Sequence, residues 1–283
     1  TSAHCCFPPR VRVVGVYGFT AAHERVPLAS SCTSPGCLPV RLDGNGCFCG
    51  GINARCSVAI GEGVDVIATL NPDATIDPKS LGRLIAAAAN DRLSLVSPRI
   101  VTGDGRVWFE GADLYLDDGS TASVRRREER AGRPRREWAT GACFAISSEL
   151  WRSVGGFDED YFLYWEDIDL SHRVLDAGGR LILLDGATAV HDEGQTSGKE
   201  STDRAKSPTY YYFNIRNRLM YAAKHLDSDA VSDWLRLSRA VSYRILLQGG
   251  RRQLLVSLAP WRAYRRGLRD GRKTVLELRG IAD

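Results

Sequence analysis

Val64-Asp65-Val66-Ile67-Ala68-Thr69-Leu70-Asn71-Pro72-Asp73 reads as a β-branched strand stopped by a turn. Open α/β sheets bind their ligands beyond the carboxyl ends of their strands, so this turn places Asp73 at a ligand-binding edge. A carboxylate there suits a hard divalent cation, which takes oxygen ligands and shares them with phosphate. Asn, Pro and Asp are also ordinary turn formers, so the stretch by itself leaves both readings open.

Working outward, residues 10–17, 93–101, 107–116 and 142–146 carry strand patterns, with a hairpin turn at Asp117-Asp118-Gly119. Residues 52–61 suggest a short helix after a Gly-rich turn at Gly50-Gly51. Residues 78–90 suggest another, with Leu81, Leu84, Ile85 and Ala88 on one face. A helix entered through Ser147-Ser148-Glu149 ends at Gly155-Gly156, and 167–177 forms the next. Residues 180–184 and 188–191 then add strand, while 208–226 and 229–271 are helical with a break at Gly249-Gly250. Strands alternating with helices in this order predict an α/β sandwich with a mostly parallel sheet.

The 283 residues are 43% hydrophobic and 25% charged, the composition of an ordinary globular protein. No apolar run reaches the 18 or more residues of a membrane span, and residues 1–6 lack a signal pattern; a cytoplasmic protein is expected. The net charge of +4 is unevenly spread, since residues 236–279 hold twelve Arg or Lys against Asp270 and Glu277. In that tail Trp261, Tyr264 and Leu268 lie among Arg262, Arg265, Arg266 and Arg269, a pattern suited to an anionic membrane surface as much as to a solvated bundle face. A second basic run, 125–136, is expected to be a solvated loop. No nucleic-acid motif accompanies either run, and no nucleic-acid partner is expected. Seven of the eight cysteines fall within the first 56 residues at spacings that fit no standard zinc pattern, and a disulfide framework is not expected in a chain of this size without a secretion signal.

Six carboxylates fall within residues 158–169, among Phe157, Tyr161, Phe162, Tyr164 and Trp165. Charges beside large apolar groups are costly to bury, so such a cluster points to a proton or cation task; an acidic first turn favouring the helix dipole is the plainer account. His191, at the end of an apolar run, is either a further ligand beside Asp73 or a surface imidazole.

Together, residues 45–53, Asn71-Pro72-Asp73-Ala74, Trp138-Ala139-Thr140-Gly141-Ala142-Cys143, Gly155-Gly156-Phe157-Asp158-Glu159 and Trp165-Glu166-Asp167-Ile168-Asp169-Leu170-Ser171-His172-Arg173 resemble glycosyltransferase family 2. The likeness is to rhamnosyltransferase-like and galactofuranosyltransferase-like members of the GT-A fold, and runs over 41–226, with 227–283 as a basic helical extension and 1–40 atypical. The resemblance implies an inverting transfer from a nucleoside diphosphate sugar to a hydroxyl of a cell-envelope or lipid-linked glycan. It assigns Asp167 as base, Asp73 and His191 as ligands of Mg2+ or Mn2+, and Asn45, Asn53, Asn71 and Asp73 to the donor. Trp138, Trp165, Glu166 and Asp169 fall on the acceptor side, with burial or helix capping as their alternatives. The tail then allows a peripheral seat at the inner membrane face.

The front of the chain departs from the family pattern. Residues 13–20 stand at roughly the second family strand without its acid, and the first strand–helix unit has no counterpart. With no initiator Met, this suggests a truncated or altered beginning and, as the alternative function, a catalytically weak or inactive relative.

Overall fold

The computed structural model describes residues 15–17, 37–39, 47–191 and 206–280. Short parallel strands β1 (Gly15–Tyr17) and β2 (Cys37–Pro39) precede α1 (Cys47–Gly61). The glycines at 50 and 51, expected in a turn before this helix, lie inside it. Gly50 earns its place by packing: a Cβ there would sit 3.2 Å from the Glu159 carboxylate. The chain continues through β3 (Val66–Leu70), β4 (Ala74–Ile76), α2 (Pro78–Asn90), β5 (Ser94–Val101) and β6 (Val107–Phe109). Asp77 caps α2 by accepting the Lys79 and Ser80 N–H groups, and Leu84, Ile85 and Ala88 are buried.

β7 (Ala112–Tyr115), β8 (Thr121–Ser123) and β9 (Arg135–Trp138) form a three-stranded sheet of their own. The single strand expected over 107–116 is thus divided, with Gly111 at φ +99° in the break. β10 (Cys143–Ser147), α3 (Ser148–Val154), α4 (Glu166–Asp176) and β11 (Arg180–His191) follow. β11 is one strand rather than two pieces, because its register on β5 shifts between Leu184 and Thr188 and Gly186 takes φ +71° there. Last come α5 (Pro208–His225), α6 (Ser228–Leu247), α7 (Arg252–Val256) and α8 (Ala259–Arg279).

The main sheet runs β3-β10-β5-β11-β4, with β6 also on β5. The expected α/β sandwich is present, and its described sheet is mixed. β5 and β11 pair in parallel and β3 shares their direction, while β10 is inserted antiparallel between β3 and β5. β4 and β6 are antiparallel additions. Ile67, Leu95, Val96, Ile100, Phe144 and Ile146 bury the sheet, and Trp151, Phe157 and Phe144 pack ring to ring at 5.5 to 6.3 Å.

The described residues gather into two compact units. One holds the main sheet, up to Gly111 and from Trp138 through β11; the other holds Ala112–Glu137 with the C-terminal helices. The division therefore does not follow the expected cut at 226/227. The reason is packing: α5 lies along α8, where Gly267 and Gly271 leave no room for a Cβ against Tyr212 O at 2.9 Å and Leu219 at 3.0 Å. In the same unit the buried Trp234 donates its indole N–H to Leu116 O at 2.6 Å, and the buried Arg218 guanidinium lies 4.6 Å from the Trp234 ring centroid. The basic run at 125–136 is more ordered than a solvated loop. Two 3-10 turns fill 124–126 and 128–130, and Arg127 pairs with the fully buried Asp113 at 2.7 Å.

Candidate active site

The turn after β3 is fixed from both sides. Asn71 N–H donates to Ala142 O at 2.9 Å, and Ala74 N–H returns to Asn71 O at 3.0 Å. β4 leaves the turn antiparallel to the end of β11, in a register that sets His191 opposite Ala74. Asp73 and His191 therefore meet, with His191 Nε2 3.1 Å from Asp73 Oδ1. Trp108 backs the imidazole, its ring centroid 4.6 Å away. His191 is buried, and its Nδ1 and the Asn71 Oδ1 are both buried without a hydrogen-bond partner.

This pair fits a hard divalent cation. Two cis ligands on an octahedral ion at about 2.1 Å are about 3.0 Å apart, close to the observed separation. Among the described residues no three of His, Cys, Asp and Glu gather into a metal-holding group, so a cation held by Asp73 and His191 would need oxygen atoms from a ligand to complete its shell.

The second half of the site starts at a strained turn. Tyr164 and Trp165 adopt left-handed φ of 64° and 77° in succession, at a cost of about 1–3 kcal/mol each. α4 begins immediately after them, and the Trp165 carbonyl accepts Asp169 N–H. Asp167 then accepts Gly141 N–H at 3.3 Å and Ile168 N–H at 2.9 Å, while Ser171 Oγ donates to Asp167 O at 2.7 Å and receives Ala139 N–H. Gly141 and Ala142 are consecutive, so one peptide-long segment carries both halves: its 141 N–H holds the Asp167 carboxylate and its 142 carbonyl holds the Asn71 turn.

Burial raises both carboxyls at the start of α4. It pushes Asp167 up to about 6, against the pull of the Gly141 and Ile168 N–H groups, which favour the ionised form. It pushes Glu166 higher, to about 8, with the Asp167 charge adding to the effect; Glu166 Oε2 is buried without a partner. Burial thus raises both groups of the pair, while the two backbone N–H groups on Asp167 favour its ionised form over that of Glu166, which has no such donor on Oε2. Asp167 is still partly exposed.

A family model described as "Glycosyl transferase family group 2" matches residues 66–269. The chain belongs to this family. Among curated relatives, the N-acetylglucosaminyl-diphospho-decaprenol L-rhamnosyltransferase of Mycobacterium tuberculosis is 29% identical over 153 residues, 48% of this chain and 50% of that one. The low-salt glycan biosynthesis hexosyltransferase of Haloferax volcanii is 24% identical over 182 residues, 62% of this chain and 57% of that one. The chain spans about half the length of the curated relatives it matches. A solved structure, GalNAc-T7 with UDP, GalNAc and Mn2+, aligns at 16% identity and a TM-score of 0.43, covering 78% of this chain and 47% of that one.

Within this family member, the residues singled out from sequence divide into two groups. Asn71, Asp73, Asp167, Glu166 and His191 lie on the framework just described. Trp138 ends β9 half-buried, its ring 5.2 Å from Phe109 and its indole Nε1 buried without a partner.

Three others are committed elsewhere. Asn53 spends its amide on Phe157 N–H and O, at 2.9 and 2.8 Å, and on Glu159 at 2.9 Å, so it clasps the turn after α3 instead of facing a donor. Asp169 is 1% exposed and bound to Arg173, whose guanidinium also donates to Val154 O and to Gly156 O; it is a buried clamp, not an acceptor contact. Trp165 is 5% exposed, which removes its ring as an open platform. Asn45 lies outside the described residues. Sequence reasoning gave no part to Trp108, to Ser171 or to the Gly141-Ala142 main chain. Backbone donors leave no side-chain signature, and the Trp108 contact depends on a strand pairing that only the fold supplies.

Proposed function

We propose that this chain carries out an inverting transfer of a hexosyl group, such as rhamnose or galactofuranose, from a nucleoside diphosphate donor to a hydroxyl of a cell-envelope or lipid-linked glycan. The observation that supports the reading is the main-chain link through Gly141 and Ala142, which ties the Asp167 carboxylate to the turn that carries Asp73. Asp167 accepts the proton of the acceptor hydroxyl as that oxygen attacks the anomeric carbon, and the bond to the diphosphate breaks on the opposite face. Asp73 and His191 would hold Mg2+ or Mn2+, which supplies charge neutralisation for the departing diphosphate. Asn71 supports the donor side through its unpartnered Oδ1, and the unpartnered Glu166 Oε2 and Trp138 indole N–H are the groups left to bond acceptor hydroxyls. The relative acting on a decaprenol-linked sugar favours a lipid-linked acceptor, and with it a peripheral seat on an anionic membrane. No helix of the described residues is long and apolar enough to cross a membrane.

The test is a screen of dTDP-, UDP- and GDP-sugars for donor hydrolysis and transfer with Mg2+ or Mn2+, comparing the protein with Asp167→Asn. Lost turnover with retained donor binding is expected. Unchanged turnover in the variant would remove Asp167 from the role of base.

A further inference from the structure

The basic tail and its apolar residues part company in the fold. Trp261 and Tyr264 pack against the buried cluster of Tyr211, Leu246 and Ala263, and Leu268 is itself buried, so the residues that looked interfacial in the sequence face the helical bundle. Leu255, Val256 and Leu258 are the most exposed apolar residues of the tail, at 87%, 75% and 67%. They sit on and just after α7, which is firmly held. Gln253 donates to Tyr211 Oη and to Leu246 O, Leu254 packs on the same cluster, and Trp261 donates its indole N–H to Leu254 O at 3.1 Å. Three aliphatic side chains are thus presented on a pinned stem, at a cost that water alone does not justify.

The stretch of chain that holds them carries one sign of charge. From Trp234 to Arg269 the sequence holds nine arginines and no acid. Arg251 and Arg252 flank the apolar tip on one side. On α8, Arg262, Arg265 and Arg269 continue the helical stripe that Leu258 begins, at steps of four, three and four residues, and all are exposed. Arg251, Arg252, Arg262 and Arg265 form no ion pair among the described residues. An apolar tip flanked along the chain by arginines that form no ion pair among the described residues is complementary to a bilayer whose surface is anionic and whose interior is hydrocarbon. We infer that Leu255, Val256 and Leu258 form a membrane-docking wedge that enters an anionic lipid surface, with Arg251, Arg252, Arg262 and Arg265 binding the headgroups around it. This deepens the membrane-side part of the proposed function and rests on it.

Flotation of the full chain with vesicles of phosphatidylcholine, with and without phosphatidylglycerol, tests the assignment. Wild type is expected to float with the anionic vesicles. The triple variant Leu255→Ser, Val256→Ser, Leu258→Ser should lose at least about tenfold in partitioning, since it removes most of the aliphatic area available for insertion. Replacing the four arginines by Gln should lower binding about a hundredfold or more on anionic vesicles, at about fivefold per charge. The triple variant keeps the wild-type melting temperature because the three side chains are exposed. Failure of wild type to float, equal flotation of wild type and triple variant, or loss of a dimer on the triple substitution in size-exclusion light scattering would each overturn the wedge. Asp167→Asn should float like wild type, and the wedge variant should keep donor hydrolysis in the absence of lipid, so failure here is separable from failure of the catalytic reading.

Discussion

His191 Nε2 lies 3.1 Å from Asp73 Oδ1 because an antiparallel register, β4 on the end of β11, brings two residues 118 positions apart face to face. Neither side chain is anchored by a neighbour in sequence. Asp73→Ala and His191→Ala should each weaken Mn2+-dependent binding of the nucleotide sugar by at least about tenfold. Titration calorimetry with and without Mn2+ measures this, and equal affinity under both conditions in wild type would show that the pair holds no cation.

The proton-accepting role of Asp167 has a pH signature. The ionised carboxylate is the active form, so turnover should fall as pH drops through about 6, the value to which burial raises this group. Asp167→Asn should lower kcat by about 10² to 10⁴ with little change in donor affinity. An activity flat from about pH 5 to about pH 8 would be inconsistent with a base of this pKa.

Glu166 predicts a different pH effect, on stability. Its folded-state pKa, near 8, is above the ordinary value of 4.5, so the folded protein binds a proton that the unfolded chain has released. The associated stability is complete below the ordinary value and is lost as pH rises through the folded-state one. Glu166→Gln, which stays neutral, should therefore melt close to wild type near about pH 5 and progressively above it toward about pH 9. Parallel melting curves for the two proteins across that range would place an ionised Glu166 in the fold.

Asp169→Ala should act on folding before chemistry. Removing a buried carboxylate leaves Arg173 without its counter-charge, a loss of about 3 kcal/mol. Urea denaturation gives the number. If Asp169→Ala instead kept its stability and lost only acceptor affinity, the carboxylate would belong to the site after all.

Gly156→Ala should be destabilised twice over. The position takes φ +68°, and a Cβ would lie 2.8 Å from the Asn53 Oδ1 that clasps Phe157. Roughly 1–3 kcal/mol is expected from the backbone alone, measured by thermal or urea unfolding, while Gly82→Ala, with open space around it, should be neutral or stabilising.

Much of this was legible before any coordinates. Ser147 announced its helix because capping needs a short side-chain acceptor at one position, and Gly155 closed α3 because it takes the αL geometry that other residues adopt only at a cost. The acidic cluster was visible as a cluster, but its members were not separable. Glu166, Asp167 and Asp169 differ in what they meet across the fold: no partner for one Glu166 oxygen, the Gly141 N–H for Asp167, Arg173 for Asp169. The α7 tip was hidden for the opposite reason. Leu255 and Val256 look like core residues by composition, and Trp261 looks like an interfacial one, until packing exchanges their roles.

The Gly141-Ala142 link has one more property. It is built wholly from main chain, and a Cβ at 141 would meet Asp167 at 3.5 Å, an ordinary contact. The linkage therefore survives an added methyl at 141, whereas proline at 141, or at 71 where the other N–H is donated, deletes a strut.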